Sequence, residues 1–154
     1  MASTSFRRFV RAPRDRVYRT ILDPRVIASW VVPVGLKSQV HAFDSRVGGY
    51  FRISLTYPVP DDDRSGVAQQ VDTFHGRFVE LVPDEKMVMK LEFETSRAEL
   101  QGEMTITIEL KDAPGGTEIE VYHDDLPPGV PIADNVAGWE VSLERLAELV
   151  EKKS

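Results

Sequence analysis

The amino-acid sequence predicts an α+β fold in which one curved antiparallel sheet of about six to seven strands wraps around a long C-terminal helix. Between positions 37 and 123, apolar and polar residues alternate in several segments, as in strands with one buried face. Short turns separate these segments, so successive strands pair antiparallel. From Ile132 to Val150 the apolar residues recur every three or four positions, which predicts a helix with one apolar stripe around Trp139.

One strand and two short helices precede the main part of the sheet. Residues 4–11 form the first predicted strand, and Pro13 suits the first turn of a helix because proline has no N–H to leave unpaired there. The Asp23-Pro24 pair ends this helix and starts a second one, with Asp23 as its cap and Trp30 on its inner side.

Alternation and turn residues place the remaining strands. The segment from Asp124 to Pro131 contains three prolines, which lack the N–H that a strand donates, so we expect no strand there. Only the C-terminal helix is long enough to cover the apolar face of the sheet. The predicted strands cover residues 37–44, 51–57, 67–82, 87–93, 104–111 and 119–122.

Composition bounds the function. The 154 residues fit a single domain, residues 1–154, that needs no metal or disulfide for stability, and we expect no cofactor. The net charge of −6 argues against binding to nucleic acid or to anionic lipid. Without cysteine there is no thiolate catalysis and no Cys-ligated zinc. No apolar run approaches the ~20 residues of a membrane span, and we expect a cytoplasmic protein.

Short motifs at the joints of these elements resemble a known superfamily. They are RAPRDRVY from Arg11, Asp23-Pro24 with Trp30, VGGYFR from Val47, GRFVELVP from Gly76, Gly115-Gly116-Thr117, and Gly138-Trp139 followed by Leu143 to Leu146. In this order the chain resembles the SRPBCC superfamily, the START-like or birch-pollen-allergen-like helix-grip fold. Within it, the chain is similar to the homologues of the activator of the heat shock protein 90 ATPase. Many relatives carry a second tryptophan beside the first, where this chain has Val31 and Val32.

The resemblance implies a cavity between sheet and helix that binds a lipid, sterol, polyketide or other hydrophobic molecule. Such pockets are mostly apolar and measure about 300 Å³ or more. The alternative is that the inward-facing side chains pack against one another as an ordinary core. The candidate lining is Trp30, Phe51, Ile53, Tyr57, Met87, Met89, Leu91, Phe93, Met104, Ile106, His123, Val136, Trp139 and Leu143.

His123 is the most informative of the three histidines. Alternation after Ile119 and Val121 points it inward, where it could orient a ligand or move a proton, unless it only bonds a neighbouring protein group. His41 and His75 lie on other strands at no metal-ligand spacing, so we expect no metal site.

Three functions are therefore open, in this order. The first is a binding module for a hydrophobic or amphipathic small molecule. The second is a protein-interaction role resembling the co-chaperone activator, in which the arginine-rich N-terminal region and a sheet edge contact a chaperone or another protein. The third is an enzyme of the cyclase or hydrolase kind, with His123 or Tyr57 as acid–base group.

Overall fold

The predicted helix-grip α+β fold is confirmed by a computed structural model, which describes residues 2–30, 37–58 and 69–151. Val31, Val32 and residues 67–68 of the predicted third main strand lie outside these ranges. The elements are β1 (Ala2–Val10), α1 (Arg14–Ile21), α2 (Ile27–Trp30), β2 (Lys37–Phe43), β3 (Tyr50–Pro58), β4 (Gln69–Val82), β5 (Lys86–Phe93), a 3-10 helix (Ala98–Leu100), β6 (Met104–Ala113), β7 (Gly116–Leu126) and α3 (Ile132–Glu151).

The seven strands form one antiparallel sheet in the order β1-β7-β6-β5-β4-β3-β2. The first strand therefore pairs with the last one, and Phe6 lies opposite Val121. The pairing of β4 with β5 shifts register between Phe78 and Glu80, and that of β2 with β3 shifts between Val40 and Ala42. Such bulges bend a strand and increase its twist, which lets the sheet curve around a helix.

The core lies between the inner face of the sheet and the helices. Alternation works as expected on β6 and β7, where Ile108 and Val121 are fully buried. From α3, Leu146 and Val150 complete the same core and are also removed from solvent. Burying each such side chain contributes about 1.5–3 kcal/mol, so the apolar stripe holds α3 on the sheet. Within the described residues, no helix is long and apolar enough to cross a membrane.

The last strand is longer than the sequence predicts. It continues through Asp124, which pairs with Thr105 of β6, to Leu126, which pairs with Ala2 of β1. Asp125 has a positive φ of 62° near this end. The strand stops only at Pro127, because proline has no N–H for the ladder. The expectation that the whole segment from position 124 lies outside the sheet is therefore wrong for its first three residues.

Both N-terminal helices begin later than predicted. Pro13 is the residue before α1, with extended backbone, and the helix starts at Arg14. Asp23 does not cap α2 directly. Its carboxylate accepts a hydrogen bond from the backbone N–H of Arg25 at 2.8 Å, which makes a turn, and α2 starts at Ile27.

Candidate functional site

An apolar cavity, here called the inner cavity, lies between α2 and the middle of the sheet. Its volume is about 100 Å³. Strands β2 to β6 line it on the side of the sheet, and α1, α2 and Trp139 of α3 line it on the side of the helices. The residues that line it are Ile21, Ile27, Trp30, Phe43, Phe51, Ile53, Phe74, Phe78, Met89, Leu91, Ile106, Ile108 and Trp139.

A second space, the outer pocket, lies beside the inner cavity and opens toward solvent. It measures about 270 Å³ and mixes apolar with polar groups. Four side chains line both spaces, namely Phe74, Leu91, Ile106 and Trp139, so the two spaces adjoin across them. Neither space alone reaches the 300 Å³ typical of small-molecule sites, and only the two together exceed it. The other residues of the outer pocket are Leu55, Phe93, Met104, His123, Val130, Asp134, Asn135, Gly138 and Ser142.

Ten of the fourteen predicted lining residues lie on these two spaces. The inner cavity includes Trp30, Phe51, Ile53 and Met89; the outer pocket includes Phe93, Met104 and His123; and Leu91, Ile106 and Trp139 line both. Tyr57 lies on β3, but its side chain is outside the described residues.

Met87, Val136 and Leu143 do not line either space. Met87 is fully buried and packs within the solid core. Leu143 lies instead on a separate surface groove between α3 and β1, together with Phe6. These three positions fit the apolar pattern of the sequence, but they do not lie in the lining of either space.

Val136 and Leu143 miss the lining because α3 turns a different face toward the outer pocket. Five positions of α3 line the outer pocket. Four of them, Asn135, Gly138, Trp139 and Ser142, follow the i, i+3, i+4, i+7 spacing of one helix face, and Asp134 lies beside that face. The predicted stripe through Val136 and Leu143 lies one residue later, about 100° around the helix. Except for Trp139, the face toward the pocket is small or polar, so a search for apolar residues misses it.

A chain of hydrogen bonds lies at the wall of the outer pocket, and we call it the His123 cluster. The indole Nε1–H of Trp139 donates to Nδ1 of His123 at 3.0 Å. The amide Nδ2 of Asn135 donates to the same atom at 3.2 Å, and the hydroxyl of Thr4 donates to Oδ1 of Asn135 at 2.6 Å. Nε2 of His123 lies 3.2 Å from Sδ of Met104. The cluster thus joins β1, β6, β7 and α3.

These contacts fix the tautomer of His123. An indole nitrogen only donates, so Nδ1 has to carry the lone pair and the ring proton sits on Nε2, facing the sulfur of Met104. The imidazole is 7% exposed, and this burial lowers the pKa of His123 from 6.5 to about 4, although the charge of Asp124 acts in the opposite direction. His123 is therefore neutral at physiological pH.

The geometry favours a positioning role for His123 over proton transfer. A general base works best with a pKa near the operating pH and with a free lone pair, whereas Nδ1 of His123 already accepts two N–H groups. The cluster instead fixes the ring of Trp139, which also packs on Phe6 with a centroid distance of 5.9 Å. Among residues 2–30, 37–58 and 69–151, no group of His, Asp and Glu side chains is placed to hold a metal.

Several arginines of the N-terminal region have partners within the chain. Arg7 pairs with Glu118 at 2.8 Å, and Arg14 pairs with Asp112 at 3.0 Å. Both pairs include a largely exposed side chain, so each contributes about 1 kcal/mol or less. Arg19 also pairs with Asp15, so carboxylates balance the charge of three arginines in this region.

Comparison with known proteins agrees with this geometry. A model of the family described as "Activator of Hsp90 ATPase homolog 1-like protein" matches residues 11–151. Protein CV1439 from Chromobacterium violaceum is 31% identical, with a TM-score of 0.84 over 99% of this chain and 100% of that one. A protein from Rhodobacter sphaeroides is 18% identical, with a TM-score of 0.75 over 96% and 90% of the two chains.

At lower identity the fold is still the same. Protein Ms6760 from Mycobacterium smegmatis is 14% identical and has a TM-score of 0.75 over 99% of this chain and 92% of that one. No protein of the curated set matches the sequence. The family match covers all elements after β1, from the start of RAPRDRVY to the end of α3. The chain therefore belongs to the Activator of Hsp90 ATPase homolog 1-like family of the SRPBCC superfamily.

Proposed function

We propose that this protein binds a hydrophobic or amphipathic small molecule in the inner cavity and outer pocket together. The observation that supports this best is the shared wall, in which Phe74, Leu91, Ile106 and Trp139 border both spaces. A ligand that extends from one space into the other would remove apolar surface from water on both sides, at about 25 cal/mol per Å².

The proposed ligand has an apolar body, which lies in the inner cavity, and a polar end. The inner cavity is lined by hydrocarbon, aromatic and thioether side chains. The outer pocket adds Asp134, Asn135 and Ser142 on the side of α3, next to solvent. Small-molecule sites commonly combine such an apolar interior with a few polar groups that fix orientation. The polar end of the ligand therefore lies at the outer pocket.

Trp139 is the side chain whose fluorescence should detect a bound ligand. Its ring borders both spaces, and the His123 cluster holds its indole N–H. A bound molecule would contact this ring, so the fluorescence of Trp139 should change on binding.

The direct test is titration with N-phenyl-1-naphthylamine, a neutral fluorescent probe, compared between the native protein and two variants at Gly138. A Cβ atom added at Gly138 would meet no atom within 4 Å beyond the neighbouring turns of its own helix, and the position lines the outer pocket. Gly138→Leu should fill part of the pocket and weaken probe binding at least tenfold. The matched variant Gly138→Ala adds only a methyl group and should bind within about twofold of the native protein. Equal binding by all three would place the probe elsewhere and contradict the proposal.

A protein partner is the second hypothesis, favoured by one feature of the sheet. Strand β1 lies at an edge of the sheet, and an edge strand offers unpaired backbone groups to another chain. The test is capture of the cell's ninety-kilodalton chaperone by this protein, with its ATPase rate as readout. An unchanged rate would count against this role.

We place either activity in the cytoplasm, in line with the lack of cysteine.

A further inference from the structure

Trp139 has a special place among the four side chains that line both spaces. The other three, Phe74, Leu91 and Ile106, come from the neighbouring strands β4, β5 and β6. The inner face of the sheet lines both spaces, so these three side chains form a floor that the two spaces share. Among the four, only Trp139 comes from the helix side. Its ring is therefore the part of the shared wall that stands above this floor.

A hydrogen bond and a ring contact hold Trp139 in this place. Its Nε1–H donates to Nδ1 of His123 at 3.0 Å, and its ring centroid lies 5.9 Å from that of Phe6. The side chain is half-buried, so it is not locked by close packing as Leu146 is. The amide of Asn135 donates to the same nitrogen of His123 at 3.2 Å. If Trp139 turns away, His123 keeps this second donor, so the movement leaves no buried acceptor unpaired.

We propose that Trp139 is a gate between the outer pocket and the inner cavity, and that His123 is the positioning residue whose hydrogen bond holds this gate closed. The inference rests on the proposed function and concerns which ligands are accepted. A short molecule occupies the outer pocket of about 270 Å³ while the gate stays closed. A longer molecule reaches the inner cavity only by turning the indole away from His123. Its binding then carries the cost of one hydrogen bond, about fivefold in affinity, so this pair of residues selects ligands by length.

The first test compares 1-pentanol with 1-decanol, which share a hydroxyl end and differ in chain length. The chain has two tryptophans, so the ¹⁵N-labelled protein gives two indole N–H signals, and Trp139→Phe identifies one of them by its loss. We expect 1-decanol to move the indole proton signal of Trp139 upfield, because the hydrogen bond to His123 is lost. 1-Pentanol should leave this signal near its original position.

The second test is a matched pair of variants at His123. Asparagine places an acceptor oxygen near the position of Nδ1, whereas leucine has a similar size and no acceptor. The readout is the ratio of the affinities for 1-decanol and 1-pentanol, since a change at the pocket wall affects both alcohols. This ratio should be about fivefold higher in His123→Leu than in His123→Asn, because opening the gate breaks no hydrogen bond in the leucine variant.

The outcomes separate the two proposals. Failure of 1-decanol to bind would contradict the proposed function. Binding of 1-decanol with an unmoved Trp139 signal, or the same affinity ratio in both His123 variants, would overturn the gate proposal and leave ligand binding standing. If His123→Leu does not fold, the Trp139 signal of the native protein still decides.

Discussion

Lowering the pH from 7.5 to 5.0 should cost this protein about 2 kcal/mol of stability through His123 alone. The pKa of His123 is about 4 in the folded chain, and its ordinary value is 6.5. Because the folded pKa is the lower one, the unfolded chain takes up the proton first. The contribution of neutral His123 is therefore fully present above pH 6.5 and is lost as the pH falls toward 4.

The magnitude follows from the 2.5-unit difference between these two pKa values. At pH 5.0 the unfolded chain is almost fully protonated at this site, whereas the folded chain is about one-tenth protonated, which gives about 2 kcal/mol. Two carboxylates lie near the ring. Asp124 raises the pKa of His123, and Asp134 lines the same pocket. Protonation would also replace the acceptor at Nδ1 by a donor facing the indole N–H of Trp139, so the cluster would break.

The assay is urea denaturation at both pH values for the native protein, His123→Asn and His41→Gln. Asparagine keeps an acceptor near the position of Nδ1 but does not titrate, so its stability should fall about 2 kcal/mol less between pH 7.5 and 5.0. Carboxylates with lowered pKa values, such as Glu94 at about 2, affect all three proteins alike and cancel in this comparison. His41 lies on β2, away from the cluster, and its variant should follow the native protein. Equal pH dependence of the native protein and His123→Asn would refute the reasoning.

Three further predictions follow from single positions. Gly138→Ala should raise the free energy of unfolding by up to about 1 kcal/mol, since glycine is a poor helix former and the added methyl meets open space; thermal denaturation measures this. Gly76→Ala should destabilise by about 1–3 kcal/mol, because its Cβ would press on the carbonyl oxygen of Lys90; unchanged urea midpoints would contradict this. Decanol should bind more tightly than decanoate, because the carboxylate of Asp134 in the outer pocket repels the carboxylate of the ligand. Competition with N-phenyl-1-naphthylamine measures the two affinities, and Asp134→Asn should reduce the difference between them.

The sheet is the part of this molecule that a pattern of alternation predicts well. His123 follows Ile119 and Val121 at two-residue steps, and its side chain is buried on the same side as theirs. The end of β7 was harder to predict, because Asp124 pairs with Thr105 of β6 and Leu126 belongs to the sheet through its pairing with Ala2 of β1. That pairing joins residues more than a hundred positions apart, and no local pattern carries it.

The site was harder to predict than the fold because its polar contacts are long-range. Thr4 and Asn135 are 131 residues apart in sequence, yet Oγ1 of Thr4 lies 2.6 Å from Oδ1 of Asn135. Periodicity identifies the helix face that is most apolar, which holds Leu143, Leu146 and Val150. It does not identify the face that borders the outer pocket, where Asn135 and Ser142 lie.

Two different faces of α3, about 100° apart around the helix axis, pack on the core and border the outer pocket. Leu146 and Val150 are fixed by close packing, and their replacement would cost stability. At Gly138, by contrast, an added Cβ would enter open space on the side of the outer pocket. If the proposed ligand binds there, we expect substitutions along the pocket face to alter which molecule binds and to leave the scaffold intact. Under the same proposal, a few changes on one face of α3 would be enough for a related sequence, natural or engineered, to bind a new ligand.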